Sequence, residues 1–302
     1  MLIALFGPTG VGKTAVAVAL AEQIRALGSQ TIAISADALQ VYKGLEILTG
    51  VASPEQQEQL EHRLVSCVPL TETFSAGRFA ELAHEEIDGA LEAGKRPIVV
   101  GGTGLYLRAA LAELDLRPPA PPELRARLEA EADKHGVPAL HARLADYNKG
   151  EAAKIEPSDR SRVIRWLELT EMGVSPDPVK GKSQLWARQT RHPTLLAGLI
   201  MDREALYAAI DSRVDQMVAA GAAAEVEAAA AAGASETARK ALGFEELLTG
   251  DMEGMKQRSR NYARRQLTWM RKLGGLKPID VAGREPADVA AEIIDRTGWN
   301  GA

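Results

Sequence analysis

The run Gly7-Pro8-Thr9-Gly10-Val11-Gly12-Lys13-Thr14 fits Gly-x-x-x-x-Gly-Lys-Ser/Thr. Glycines at these places let the backbone curl, so that successive N–H groups point at phosphate oxygens. The following residues are helix formers, and a helix N-terminus adds positive potential at the same point. Lys13 carries the charge to sit on terminal phosphates, and Thr14 offers a hydroxyl to Mg²⁺. The run predicts polyphosphate binding, but not which polyphosphate or what becomes of it.

A nucleotide-hydrolysing protein of this kind holds Mg²⁺ with a carboxylate at the end of an apolar strand. The apolar run 97–100 ends instead in Gly101-Gly102-Thr103-Gly104. The strand-end acid is Asp37, after the run 31–36. Taken alone, Asp37 fits a site carboxylate, a helix N-cap or an acid that reaches Mg²⁺ through water. The glycines beside Thr103 suggest close approach of a ligand. A further feature is 255–278, which holds Lys256, Arg258, Arg260, Arg264, Arg265, Arg271, Lys272 and Lys277, no acid, and interleaved Tyr262 and Trp269. It fits either a solvated helix face or a surface for a phosphate backbone.

The elements that must position these residues follow from apolar spacing. Residues 2–6, 31–36 and 97–100 are short apolar runs, expected as buried strands. Residues 12–27 and 80–93 have helical spacing between them. Alternation of this kind predicts an α/β fold with a parallel sheet, whose strand ends gather the loop, Asp37 and Thr103 on one rim. The cluster Arg117-Pro118-Pro119-Ala120-Pro121-Pro122 breaks the pattern. Helical, charged sequence follows at 123–135, 138–146 and 159–172, and a loop at 174–193. Residues 195–201 resume a strand, and the tail from 203 is expected to be helical throughout. The expected organisation is a core over 1–116, a helical insertion over 117–193, and core completion with a helical C-terminal region over 194–302.

The 302 residues are 46% apolar and 25% charged, enough for a sizeable core. Cys67 is the single cysteine, which excludes an intramolecular disulfide and a cysteine metal cage. No apolar run reaches the ~18 residues needed to span a membrane, and Met1–Phe6 does not form a signal segment. A cytoplasmic protein is expected. The net charge of −5 argues against a nucleic-acid partner if read as one number. It separates, however, into +8 over 255–278 and −13 over the remainder.

The ordered motifs resemble the tRNA dimethylallyltransferase family. They are the phosphate loop, the stretch from Ser35 to Gly44, Phe74-Ser75-Ala76-Gly77, and the stretch from Val100 to Leu107. They continue through 158–165, 237–244 and 262–269. The resemblance implies a P-loop NTPase-like core with a helical insertion that grips the tRNA anticodon stem-loop. It implies transfer of a dimethylallyl group from dimethylallyl pyrophosphate to the exocyclic amine of the adenine 3′ of the anticodon. It also implies Mg²⁺ as cofactor and a monomer.

Carried over, Asp37 is the catalytic base and Thr103 holds the target nucleotide. Gly7, Pro8, Thr9, Gly10, Val11, Gly12, Lys13 and Thr14 bind pyrophosphate, with Thr14 on Mg²⁺ and Arg213 a further candidate pyrophosphate contact. The tRNA contacts are Asp37, Ala38, Leu39, Gln40, Thr103, Arg125, Asp159, Arg160, Ser161, Arg162, Val163, Arg239, Lys240, Gly243, Arg264 and Arg265. The sequence departs from the family pattern at Ala38, 48–53, His62 and Phe244. Arg125, Arg162 and Arg165 also fit a plain salt-bridged helix surface. A small-molecule kinase and a non-catalytic RNA-binding protein are the competing functional classes.

Overall fold

The computed structural model describes residues 1–174 and 184–299. The chain divides into two compact units, Met1–Leu114 with Gln184–Ala302, and Asp115–Ser183. In chain order the elements are β1 (Leu2–Phe6), α1 (Lys13–Ala26), β2 (Thr31–Ser35), α2 (Glu46–Thr49), α3 (Pro54–Gln59), β3 (His62–Arg63), α4 (Ala76–Glu92), β4 (Arg96–Gly101) and α5 (Gly104–Leu111). The smaller unit holds α6 (Pro122–His135), α7 (Val137–Tyr147), α8 (Lys149–Ala152) and α9 (Arg160–Glu171). The larger unit resumes with β5 (Thr194–Ile200), α10 (Arg203–Ala219), α11 (Ala222–Ala231), α12 (Phe244–Thr249), α13 (Met252–Lys272), β6 (Lys277–Asp280) and α14 (Pro286–Thr297).

The fold is α/β. Six parallel strands lie in the order β3-β2-β4-β1-β5-β6. Every residue of β1 and β2 is buried, so these strands carry no polar alternation, as expected of a sheet covered on both faces. Leu5, Leu20, Ile24, Ile98 and Leu199 belong to one core cluster, which α14 joins through Val289 and Ile293.

Two edges depart from the sequence expectation. The tail from 203 is not helical throughout, because Lys277–Asp280 pairs with β5, with Pro278 opposite Gly198. A strand of four residues containing a proline gives little apolar signal. Pro278 is tolerated because β6 lies at the sheet edge. The other edge, β3, is only two residues long.

The smaller unit begins at Asp115 and ends at Ser183, not at 193. Residues 184–193 belong to the larger unit for visible reasons. The buried Arg108 guanidinium donates to Gln184 O at 2.8 Å and Gln189 O at 3.1 Å. Arg191 N donates to Leu111 O, and Trp186 packs on Trp269. Of the expected 174–193 loop, residues 175–183 lie outside the described residues.

Helices of the smaller unit close over Leu128, Leu140, Leu144, Val163, Ile164 and Leu167. Their polar faces are tied by charge. Arg160 bonds Glu129 and Asp133, while Arg127 and Arg143 share Glu131 and Glu171. Glu168 is fully buried, and Arg125 and Arg165 neutralise it at 3.1 and 3.0 Å. An unpaired carboxylate there would cost several kcal/mol.

Candidate active site

The site stands at the carboxyl ends of β1, β2 and β4. β1 feeds the loop 7–14, β2 ends one residue before Ala36-Asp37, and β4 runs into Gly101-Gly102. Gly10 and Gly12 have φ of 82° and 89°, the left-handed region that the curled loop needs. Lys13 opens α1, and its Nζ donates to Gly7 O and Pro8 O, both at 2.9 Å. Burial, and next the Arg213 charge, lower its pKa to about 8, against an opposing pull from Asp37. Arg213 reaches in from α10, where its guanidinium donates to Thr49 O at 3.4 Å. Burial also lowers its pKa, and Asp37 opposes this. Two cations against one carboxylate make a local positive excess.

These groups line a cleft of about 320 Å³. Its lining includes Thr9, Gly10, Gly12, Lys13, Thr14, Asp37 and Arg213. Apolar Leu39, Leu48, Ile210, Val214 and Met217 line it as well. Asp37 Oδ1 accepts from Leu39 N at 3.0 Å, which fixes the carboxylate in an Asx-type turn. Thr103 does not itself line the cleft. Its hydroxyl lies 3.1 Å from the Tyr262 hydroxyl, and Tyr262 does line it. Burial, and next the Asp37 charge, push the Tyr262 phenol up, so it stays protonated.

Tyr262 and Gln266 are the residues that sequence reasoning did not assign. Gln266 is 3% exposed. Its Oε1 accepts from Thr9 N at 2.8 Å, and its Nε2 donates to Gly102 O at 2.9 Å. One amide thus pins the phosphate loop to the β4 turn. The buried stripe of α13 is Met255, Ser259, Ala263, Gln266 and Met270. A glutamine on such a stripe must find buried partners, which is the signal that was available.

The structure adds a second reason for glycine in Gly101-Gly102-Thr103-Gly104. Gly101 lines the cleft, and the protein's own atoms also approach these glycines closely. A Cβ on Gly101 would collide with Ala36 O, one on Gly102 with Gln266, and one on Gly104 with the Trp269 indole.

The residues named for tRNA fall into groups. Gln40 is committed internally: it accepts from Ser35 Oγ at 2.8 Å and donates to Gly50 O at 3.0 Å. The Val163 side chain is core, so it offers no contact surface. Asp159 caps α9 through Arg162 N and pairs with the Arg162 side chain. Arg125 and Arg160 are ion-paired as described, and Arg239 pairs with Glu245 at 2.9 Å. Gly243 has φ of 95° and packs on Met255 and Leu48. Ala38 and Leu39 are half-buried, while Ser161, Lys240, Arg264 and Arg265 are exposed.

The +8 of 255–278 is also smaller in space than in sequence. Lys256, Arg258 and Arg260 pair with Asp215, Glu246 and Asp211 on neighbouring helices. Among the described residues no cluster of three His, Cys, Asp or Glu could hold a metal by itself. Thr14 and Asp37 line the same cleft, and an octahedral Mg²⁺ needs only one or two such ligands beside phosphate and water.

A parallel sheet with a phosphate loop after β1 and a cation pair at its carboxyl edge defines a P-loop α/β protein. A family model described as IPP transferase matches residues 40–273, and the chain belongs to that family. A tRNA dimethylallyltransferase from Symbiobacterium thermophilum is 38% identical, over 98% of this chain and 94% of its own length. One from Rhodospirillum centenum is 42% identical, over 88% and 86%. The solved tRNA isopentenylpyrophosphate transferase of Bacillus halodurans superposes with a TM-score of 0.70 at 32% identity, covering 98% of this chain and 95% of that one. No helix among the described residues is long and apolar enough to cross a membrane.

Proposed function

We propose that this protein transfers a dimethylallyl group from dimethylallyl pyrophosphate to the exocyclic N6 amine of the adenosine 3′-adjacent to the anticodon in tRNA, releasing pyrophosphate. The observation that carries the reading is the mixed lining of one cleft. Lys13, Arg213 and residues of the phosphate loop line it together with apolar Leu39, Leu48, Ile210, Val214 and Met217. That pairing suits a ligand with a pyrophosphate head and a short branched hydrocarbon tail.

In the reaction, N6 attacks the allylic carbon, the carbon–oxygen bond breaks, and the electron pair leaves on pyrophosphate. Asp37 takes the N6 proton, because an aromatic amine is a weak nucleophile until a base relieves it. Thr103, held by Tyr262, orients the target nucleotide. Lys13, Arg213 and the loop amides stabilise the charge that grows on the leaving group. Thr14 would hold Mg²⁺, which would supply further charge neutralisation when bound. The target base must leave its stack at a cost of a few kcal/mol, least in an unpaired loop.

The helices of 115–174 contact the anticodon stem-loop, as the family resemblance implies. In the larger unit, Arg264 and Arg265 are exposed for contact with the tRNA backbone. The protein acts in the cytoplasm as a monomer. The decisive experiment incubates it with dimethylallyl pyrophosphate and unmodified tRNA bearing that adenine, with AMP and ATP as rival acceptors. Prenylated adenosine in the tRNA, read by mass spectrometry, is the expected result. Its absence overturns the reading.

A further inference from the structure

Few large apolar side chains are exposed among the described residues, and one of them, Trp186 at 39%, is held with unusual care. Arg108, 1% exposed, is a buried cation, and it donates to the carbonyls of Gln184 and Gln189 on either side of that tryptophan. Trp186 O also crowds Gly274, where a Cβ would lie 2.9 Å away. The indole rests on Trp269, with ring centroids 4.6 Å apart and planes at 44°. Lys272 Nζ stands 5.6 Å from the Trp186 ring. An exposed indole so anchored has little freedom to lose on binding a flat partner.

The indole also continues the site. Tyr262, Arg265, Trp269 and Lys272 recur at three- and four-residue spacing, which places them on one face of α13. At the near end the Tyr262 hydroxyl meets Thr103, and the Arg265 guanidinium lies 5.4 Å from the Tyr262 ring. Trp269 stands about 10 Å further along the helix, and Trp186 leans on it. Aromatic faces interleaved with cations suit a single strand of RNA, whose bases stack while its phosphates find the charges.

We infer that this stripe is a stacking platform for the nucleotides flanking the target adenine, with Trp186 stacking a base two or three positions away. The inference rests on the proposed action on tRNA. At about 3.4 Å per stacked base, the 10 Å between Tyr262 and Trp269 sets that offset. Trp186 is on this reading a positioning and binding residue, remote from the bond being made.

The test measures the dissociation constant of the full chain for an anticodon stem-loop RNA by fluorescence anisotropy. Single abasic nucleotides are placed in turn at each loop position. Trp186→Ala is expected to weaken the intact RNA about tenfold, in line with the loss of one stacked base, and Trp186→Tyr to restore most of it. One abasic position is expected to weaken wild type about tenfold and Trp186→Ala not at all, the non-additivity that marks direct contact. Pyrophosphate affinity serves as the control for folding and is expected to be unchanged. If every abasic position weakens both proteins equally, the platform does not exist, even where wild type prenylates the RNA. Coupling seen without prenylation would instead retain the platform and overturn the enzymatic reading.

Discussion

At the scale of single residues, the proposed reaction separates holding from reacting. Asp37, fixed by Leu39 N, would take the proton, whereas Lys13 and Arg213, which line the same cleft, would hold the leaving group. Asp37→Ala is therefore expected to lower single-turnover prenylation by about 10²- to 10⁴-fold, while pyrophosphate affinity in titration calorimetry stays equal or rises, since a negative charge has gone. Equal turnover would remove Asp37 as the base. Lys13 makes a pH prediction. Burial lowers its pKa to about 8, so the unliganded protein loses that charge above pH 8. A bound pyrophosphate raises the pKa again. Affinity, corrected for the ligand's own ionisation, should be flat below pH 8 and weaken by up to about tenfold per unit above it. Calorimetry in two buffers should show one proton taken up on binding above pH 8 and none below.

At the scale of elements, α13 is the brace of the site. Its buried Gln266 joins Thr9 to Gly102, and its Tyr262 meets Thr103. Gln266→Leu leaves an amide and a carbonyl without partners, which costs about 1–3 kcal/mol. A lower melting temperature and weaker pyrophosphate binding are expected together, read by thermal unfolding with and without pyrophosphate. A fall in stability alone would show that the loop holds its shape without the brace. The element scale is also where sequence reading succeeds and fails. The phosphate loop, β1, β2, β4 and helices α6, α7 and α9 are legible because their signals are local: glycine spacing, apolar runs, helical periodicity. Gln266 and Arg108 are not, because their partners lie 164 and 76 residues away. The packing role of the glycines of 101–104 is hidden for the same reason, since Ala36, Gln266 and Trp269 approach them from distant parts of the chain. The resemblance carried the tRNA assignments, and several of those side chains turn out to be tied into ion pairs or core.

At the scale of the whole molecule, the charge is neither one number nor one patch. Lys256, Arg258 and Arg260 are consumed by acids of neighbouring helices, while Arg264 and Arg265 face solvent. Alanine at Arg264 or Arg265 is expected to weaken tRNA binding and reduce its salt slope by about 0.7 for each phosphate left unneutralised, with pyrophosphate binding unchanged. Alanine at Arg260 should leave the slope as it was. An unaltered slope at Arg264 and Arg265 would return them to a solvated face. A locally cationic, otherwise acidic surface releases its product, where a uniformly cationic one would retain any RNA.

The two ends of the sheet bear on another hazard. β3 offers a stranger only two residues of open backbone, and β6 offers Pro278, which has no N–H to give, beside exposed Lys277. A strand from another chain would find few donors to pair with and a charge to bury. While the chain folds slowly through its long-range parallel pairings, those blunt ends oppose the intermolecular strand addition that begins aggregation.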